Sequence, residues 1–127
     1  MDLTTAQSPN SVGETVDRLS AALRQRDIKI FARIDHAGAA RDVGLDLAAE
    51  EVLIIGNPRA GKPLMQADPR VGLELPLRIL VWSHNGATQV GYRSPEQLAA
   101  EYDLEAHGAA LAAMAQLLGD LVGEATA

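Results

Sequence analysis

Hydrophobic positions change their spacing several times along the chain. Val12, Val16, Leu19 and Leu23 recur at helical spacing, while Asp17, Arg18 and Arg24 lie off that stripe. Just ahead, Ser11-Val12-Gly13-Glu14 has capping-box spacing, in which the serine accepts the third helical N–H and the glutamate reaches back. Together these predict a helix over 11–26. Upstream, Leu3-Thr4-Thr5 reads as a short edge strand. Downstream, Ile28, Ile30, Ala32 and Ile34 alternate with Lys29, Phe31, Arg33 and Asp35, which predicts a strand with one buried face.

The stretch Ala37 to Gly44 reads as a helical turn closed by Gly44. Glu51-Val52-Leu53-Ile54-Ile55 is a more apolar strand that stops at Gly56-Asn57-Pro58. A Gly- and Pro-punctuated stretch follows as far as Pro76, with one helical turn near Leu64–Ala67, and Gly61–Pro76 is expected to be a long loop overhanging the strand ends. Leu77 to Trp82 is a strand, and Thr88 to Tyr92 returns from it. Asn85-Gly86 supplies the left-handed pair of residues that a tight hairpin turn needs. Ser94-Pro95-Glu96-Gln97 has the residues of a helix start, and Leu104 to Val122 reads as a long helix striped by Leu111, Met114, Leu118 and Leu121.

The order β-α-β(4)-α is not a strict βαβ alternation. It predicts an α+β fold, a mainly antiparallel sheet with helices packed on one face. The strands from 52 and 77 are too apolar for their other face to stand in water, so a homodimer is expected to cover it.

Composition narrows this picture. At 127 residues the chain makes a single domain, 1–127, and it contains no cysteine, so disulfides and thiolate metal sites are excluded. The net charge of −6, with nine Arg and two Lys scattered along the chain, argues against nucleic acid as a partner. No apolar run approaches a membrane span and the start lacks a signal-peptide pattern, so a cytoplasmic location away from membranes is the expectation.

A set of short motifs in a particular order carries a family resemblance: Ile34-Asp35-His36, Ala40, Gly44-Leu45, Val52-Leu53-Ile54-Ile55-Gly56-Asn57-Pro58, Gly61, Pro63-Leu64-Met65, Pro69 and Leu73-Glu74-Leu75-Pro76-Leu77. Over roughly residues 8–120 the chain resembles the domain-of-unknown-function 302 family. The resemblance implies a dimeric β-α-β(4)-α fold and supplies no catalytic residue, substrate or cofactor. The family often has Phe where this chain has Ile55, Thr at Lys62 and Asp at Glu74. Chemistry resting on Lys62 would therefore not be shared across the family.

The residues themselves offer a few candidates. Gly56-Asn57-Pro58-Arg59-Ala60-Gly61-Lys62-Pro63 begins like a phosphate-binding loop. Pro63 stands where the loop needs a hydroxyl, and Pro58 removes a cradle N–H, so a simple turn is the better reading. A weaker anion site on Arg59 and Lys62 stays open. Asp35-His36 at a strand end has the chemistry of a proton shuttle, but neighbours in a strand face opposite ways, and a turn-capping Asp35 is the plainer reading. His36, His84 and His107 have no ligand spacing, and no metal or other cofactor is expected. Trp82, Tyr92, Met65 and Phe31 suit an apolar pocket, with core or dimer interface the more ordinary use.

Three functions compete. The favoured one is a dimeric small-molecule-binding module, with the ligand held between the sheet and the Asn57–Met65 loop by His36, Asn57, Arg59, Lys62 and Met65. The second is an enzyme using His36 with Asp35 or Lys62 as acid and base. The third is a structural or interaction subunit without a ligand. Sequence alone identifies no ligand and no reaction.

Overall fold

The computed structural model describes residues 2–127. Strands β1 (Thr4–Ser8), β2 (Lys29–Asp35), β3 (Glu50–Gly56), β4 (Leu77–His84) and β5 (Ala87–Tyr92) form one sheet in the order β1-β5-β4-β3-β2. Every neighbouring pair is antiparallel. Helix α1 (Val12–Gln25) follows β1, and α5 (Gly108–Ala125) closes the chain. Shorter helices α2 (His36–Asp42), α3 (Pro58–Ala67) and α4 (Leu98–Glu101) lie between strands or ahead of α5. The architecture is the expected α+β one, β-α-β(4)-α with short helices inserted. Its central hairpin turns as the sequence requires, with Asn85 at φ 52° and Gly86 at φ 80°.

The core lies between the sheet and the pair α1 and α5. The α1 stripe Val12, Val16, Leu19 and Leu23 is buried with Leu53, Ile55, Ile79, Val81 and Val90 of the sheet, and α5 adds Leu118, Leu121 and Val122. Each such side chain contributes about 1.5–3 kcal/mol relative to exposure. Ser11 caps α1, its Oγ accepting the Glu14 N–H at 3.1 Å. The Glu14 carboxylate lies 3.7 Å from Arg18.

The sequence reading fails at β2, and the reason is a bulge. Ile30 pairs with Ile55 but Ala32 pairs with Ile54, so Phe31 is an extra residue. Because side chains alternate, one extra residue turns everything after it to the opposite face. Ile30 packs on the core, whereas Ile34 is 39% exposed on the far side of the sheet. Arg33 thereby comes to the helix side, where it donates to Glu51 and to Asp17 of α1 and ties down the edge strand.

The expected loop after β3 is also wrong. Asn57 caps α3, its Oδ1 accepting the Arg59 N–H, and Pro58 occupies the first turn, where a missing N–H costs nothing. Residues Pro69–Leu73 then form a 3-10 helix. Pro63 sits inside α3, which is why the segment does not read as helical. At the other end, the long helix starts at Gly108 rather than Leu104, after a 3-10 turn Glu105–His107. Ser94 precedes another such turn, Pro95–Gln97, without a side-chain cap.

These helical pieces enclose a second, smaller core of Leu64, Val71, Leu98, Leu104 and Leu111. Buried Asp68 fastens it: the carboxylate accepts from Arg70 side chain and backbone and from the Asp103 N–H. The Arg70 guanidinium holds the Asp68 carboxyl well below the usual carboxylate range, with the backbone donors adding to it.

Candidate ligand groove on the open face of the sheet

Opposite the helices the sheet presents a face ordered in tiers by the strand register. The central tier is Thr5, Gly91, Leu80, Val52 and Ile34. Two positions towards the start of β4 lies a basic tier with Arg93, Arg78, Ile54 and Ala32. Two positions the other way are Gln7, Gln89, Trp82 and Glu50, with His36 continuing the row beyond β2. Alternation fixes these directions, since Glu51, Leu53, Ile79, Val81 and Val90 between them are buried on the helix side.

A shallow groove of about 520 Å³ crosses this face. Val52, Ile54 and Leu80 give it an apolar floor, with Ile34 and His36 at one end and Arg78, Arg93 and Glu74 at the other. The charged end is a network. Arg93 donates to Glu74 at 2.6 Å and also to Glu101, and Arg78 approaches Glu74 at 3.6 Å. Tyr102 stands nearby, its phenol pushed up first by burial and then by Glu74 and Glu101. With two arginines against two glutamates, that end carries no strong net charge.

The structure does not gather the residues expected from the sequence into one site. His36, exposed at the start of α2, lines the groove. Asn57, Arg59, Lys62 and Met65 stand on α3 and none lines it. Gly56 pairs with Lys29 at one end of β2, and His36 follows the other end, about 20 Å away at roughly 3.3 Å per residue. Asn57 is engaged in capping. Met65 is exposed on α3, with its side chain near Gly61 and Gly72. Asp35 caps α2, accepting the Gly38 N–H at 2.9 Å. Among the described residues no three of His, Asp and Glu cluster as metal ligands. Sequence reasoning missed Arg78, Arg93, Glu74 and Glu50. The available signal was alternation along β4, where Arg78, Leu80 and Trp82 share one face.

Residues 4–121 match the profile of the family described as "Domain of unknown function DUF302". The chain belongs to the DUF302 family. Its fold is similar to that in the crystal structure of an uncharacterized conserved protein DUF302 from Bacillus stearothermophilus, with a TM-score of 0.87 over 98% of both chains at 22% identity. The chain is also 37% identical over 103 residues to the fluoride-specific ion channel FluC 1 of Brucella suis, a stretch covering 80% of this chain and 41% of that protein. FluC 2 of Brucella melitensis matches at 37% over 103 residues, 80% of this chain and 38% of that one. This DUF302 chain thus spans about two fifths of the length of the curated relatives it matches. Among the described residues no helix is long and apolar enough to cross a membrane.

Proposed function

We propose that this DUF302 chain is a homodimeric module that binds a small, largely apolar molecule in the groove on the open face of its sheet. The observation that carries this reading is the groove itself, an apolar floor of Val52, Ile54 and Leu80 flanked by polar groups that can orient a ligand. Binding is favoured over catalysis because Asp35 is committed to a cap and His36 lies away from the α3 segment that carries Lys62. Native mass spectrometry of protein purified gently from its own host tests the reading. A dimer with added mass supports it. A dimer without added mass, also after incubation with a cell extract of small metabolites, overturns the binding half.

A second reading follows from the curated relatives. The chain matches part of proteins named as fluoride-specific ion channels. On this reading the module works beside such a channel and responds to its ion. Titrating fluoride against chloride at constant ionic strength, with Trp82 emission as the signal, tests it. A saturable change supports the reading, and a flat response to millimolar fluoride removes it.

A further inference from the structure

We propose that a second copy of the chain roofs the groove, sheet on sheet, about a two-fold axis that runs across the strands over the Leu80–Val52 tier. This rests on the dimeric reading above and adds the geometry. The register supplies the argument. The tier of Arg93 and Arg78 lies on one side of the central tier, and the tier of Trp82 and Glu50 lies on the other. A two-fold axis across the strands lays the first tier of each copy on the second tier of its partner, twice by symmetry. Each Arg78 then meets the partner's Trp82, a cation over an indole, with the partner's Glu50 on the adjacent strand. Thr5, Leu80, Val52 and Ile34 meet their own copies, which removes the apolar part of this tier from water.

The alternative axis, running along the strands, is disfavoured by the same charges. It keeps each tier at its own level, so Arg78 would face the partner's arginine tier and Glu50 the partner's Glu50 tier, and neither the Arg78–Trp82 nor the Arg78–Glu50 approach would form. The Arg78–Trp82 and Arg78–Glu50 approaches therefore favour one of the two ways in which this face can pair with itself. The partner's sheet in this arrangement closes the groove from above, so that both copies line it. Its two ends carry Arg78 and Arg93 from one chain and His36 and Glu50 from the other. A ligand would therefore be held by residues of both chains.

A charge swap tests the geometry. Arg78→Glu and Glu50→Arg are each expected to weaken self-association about tenfold or more in sedimentation equilibrium, because each puts like charges face to face. Arg78→Glu combined with Glu50→Arg is expected to recover most of that loss. Both positions are exposed or half-exposed on the sheet, and matching far-ultraviolet circular dichroism checks that each variant folds. A double variant as weak as the singles, or single variants that dimerise like the unaltered chain, overturns the geometry. Dimerisation of the unaltered chain and retained ligand mass are read separately, so loss of this arrangement leaves the binding module standing and loss of bound mass leaves this arrangement standing.

Discussion

The six-membered ring of Trp82 lies over Gly91, across the β4–β5 ladder. A Cβ built at Gly91 would meet Cζ3 at 3.0 Å and Cη2 at 3.1 Å. The two are diagonal neighbours, since Trp82 pairs with Gln89 and Gly91 pairs with Leu80. Glycine at 91 thus makes room for the indole on the open face. Gly91→Val is expected to displace the ring and to cost about 1–3 kcal/mol through overpacking. Urea unfolding followed by emission of Trp82, the single tryptophan, reads both effects at once. An unchanged spectrum and midpoint would contradict this contact.

The two faces of β3 should respond differently to truncation. Leu53 is fully buried under the helices, and Leu53→Ala is expected to cost about 2–5 kcal/mol. Val52 is half-buried in the groove floor, so Val52→Thr is expected to leave the fold intact and to weaken self-association instead. Unfolding and sedimentation measurements on both variants separate the effects. A large stability loss in Val52→Thr with unchanged association would contradict the assignment of faces.

Asp68 makes stability depend on pH. Its folded pKa is depressed, first by the Arg70 side chain and then by backbone donors. Unfolded, the carboxyl titrates near about 3.9, so the stabilisation is present above that value and fades as pH falls from there towards the folded pKa. Asp68→Asn lacks this contribution. Its deficit against the unaltered chain is expected to be constant at neutral pH and to shrink on acidification below about 4. Thermal melts between neutral pH and about pH 3 check this, and a gap that widens on acidification would contradict it.

Asp35 and His36 are adjacent but have separate tasks. Asp35→Ala removes the α2 cap and is expected to cost about 0.5–2 kcal/mol, with bound mass retained. His36→Ala removes an exposed side chain and is expected to change stability by less than about 0.5 kcal/mol while weakening ligand retention. Thermal melts paired with native mass spectra distinguish the two. Equal loss of bound mass in both variants would restore the pair as a unit.

Much of the fold was legible because local signals agreed with it. Ser11 with its apolar stripe marked α1, and Asn85-Gly86 marked the hairpin. Two features were hidden for physical reasons. The bulge at Phe31 leaves the alternation of Ile30, Ala32 and Ile34 intact on paper, yet it sends Ile30 and Ile34 to opposite faces. In α3, Asn57-Pro58 carried the signature of a helix start, but Pro63 five residues on argued for a loop. Of the residues that line the groove, His36 and Tyr92 were named from the sequence, His36 as a ligand contact and Tyr92 as suited to an apolar pocket. The groove arises from strand register, which brings Arg78, Ile54 and Val52 together from separate segments, and no spacing along the chain records that register.

The open face is the centre of this account, and Trp82 lies on it. The most direct measurement is the Trp82 emission maximum through a dilution series in which mass is followed by sedimentation. Dimerisation through this face predicts that emission shifts to longer wavelength as the mass halves, because the indole loses its cover. A spectrum that stays fixed while the dimer dissociates, or a chain that is monomeric at every concentration, would contradict the account.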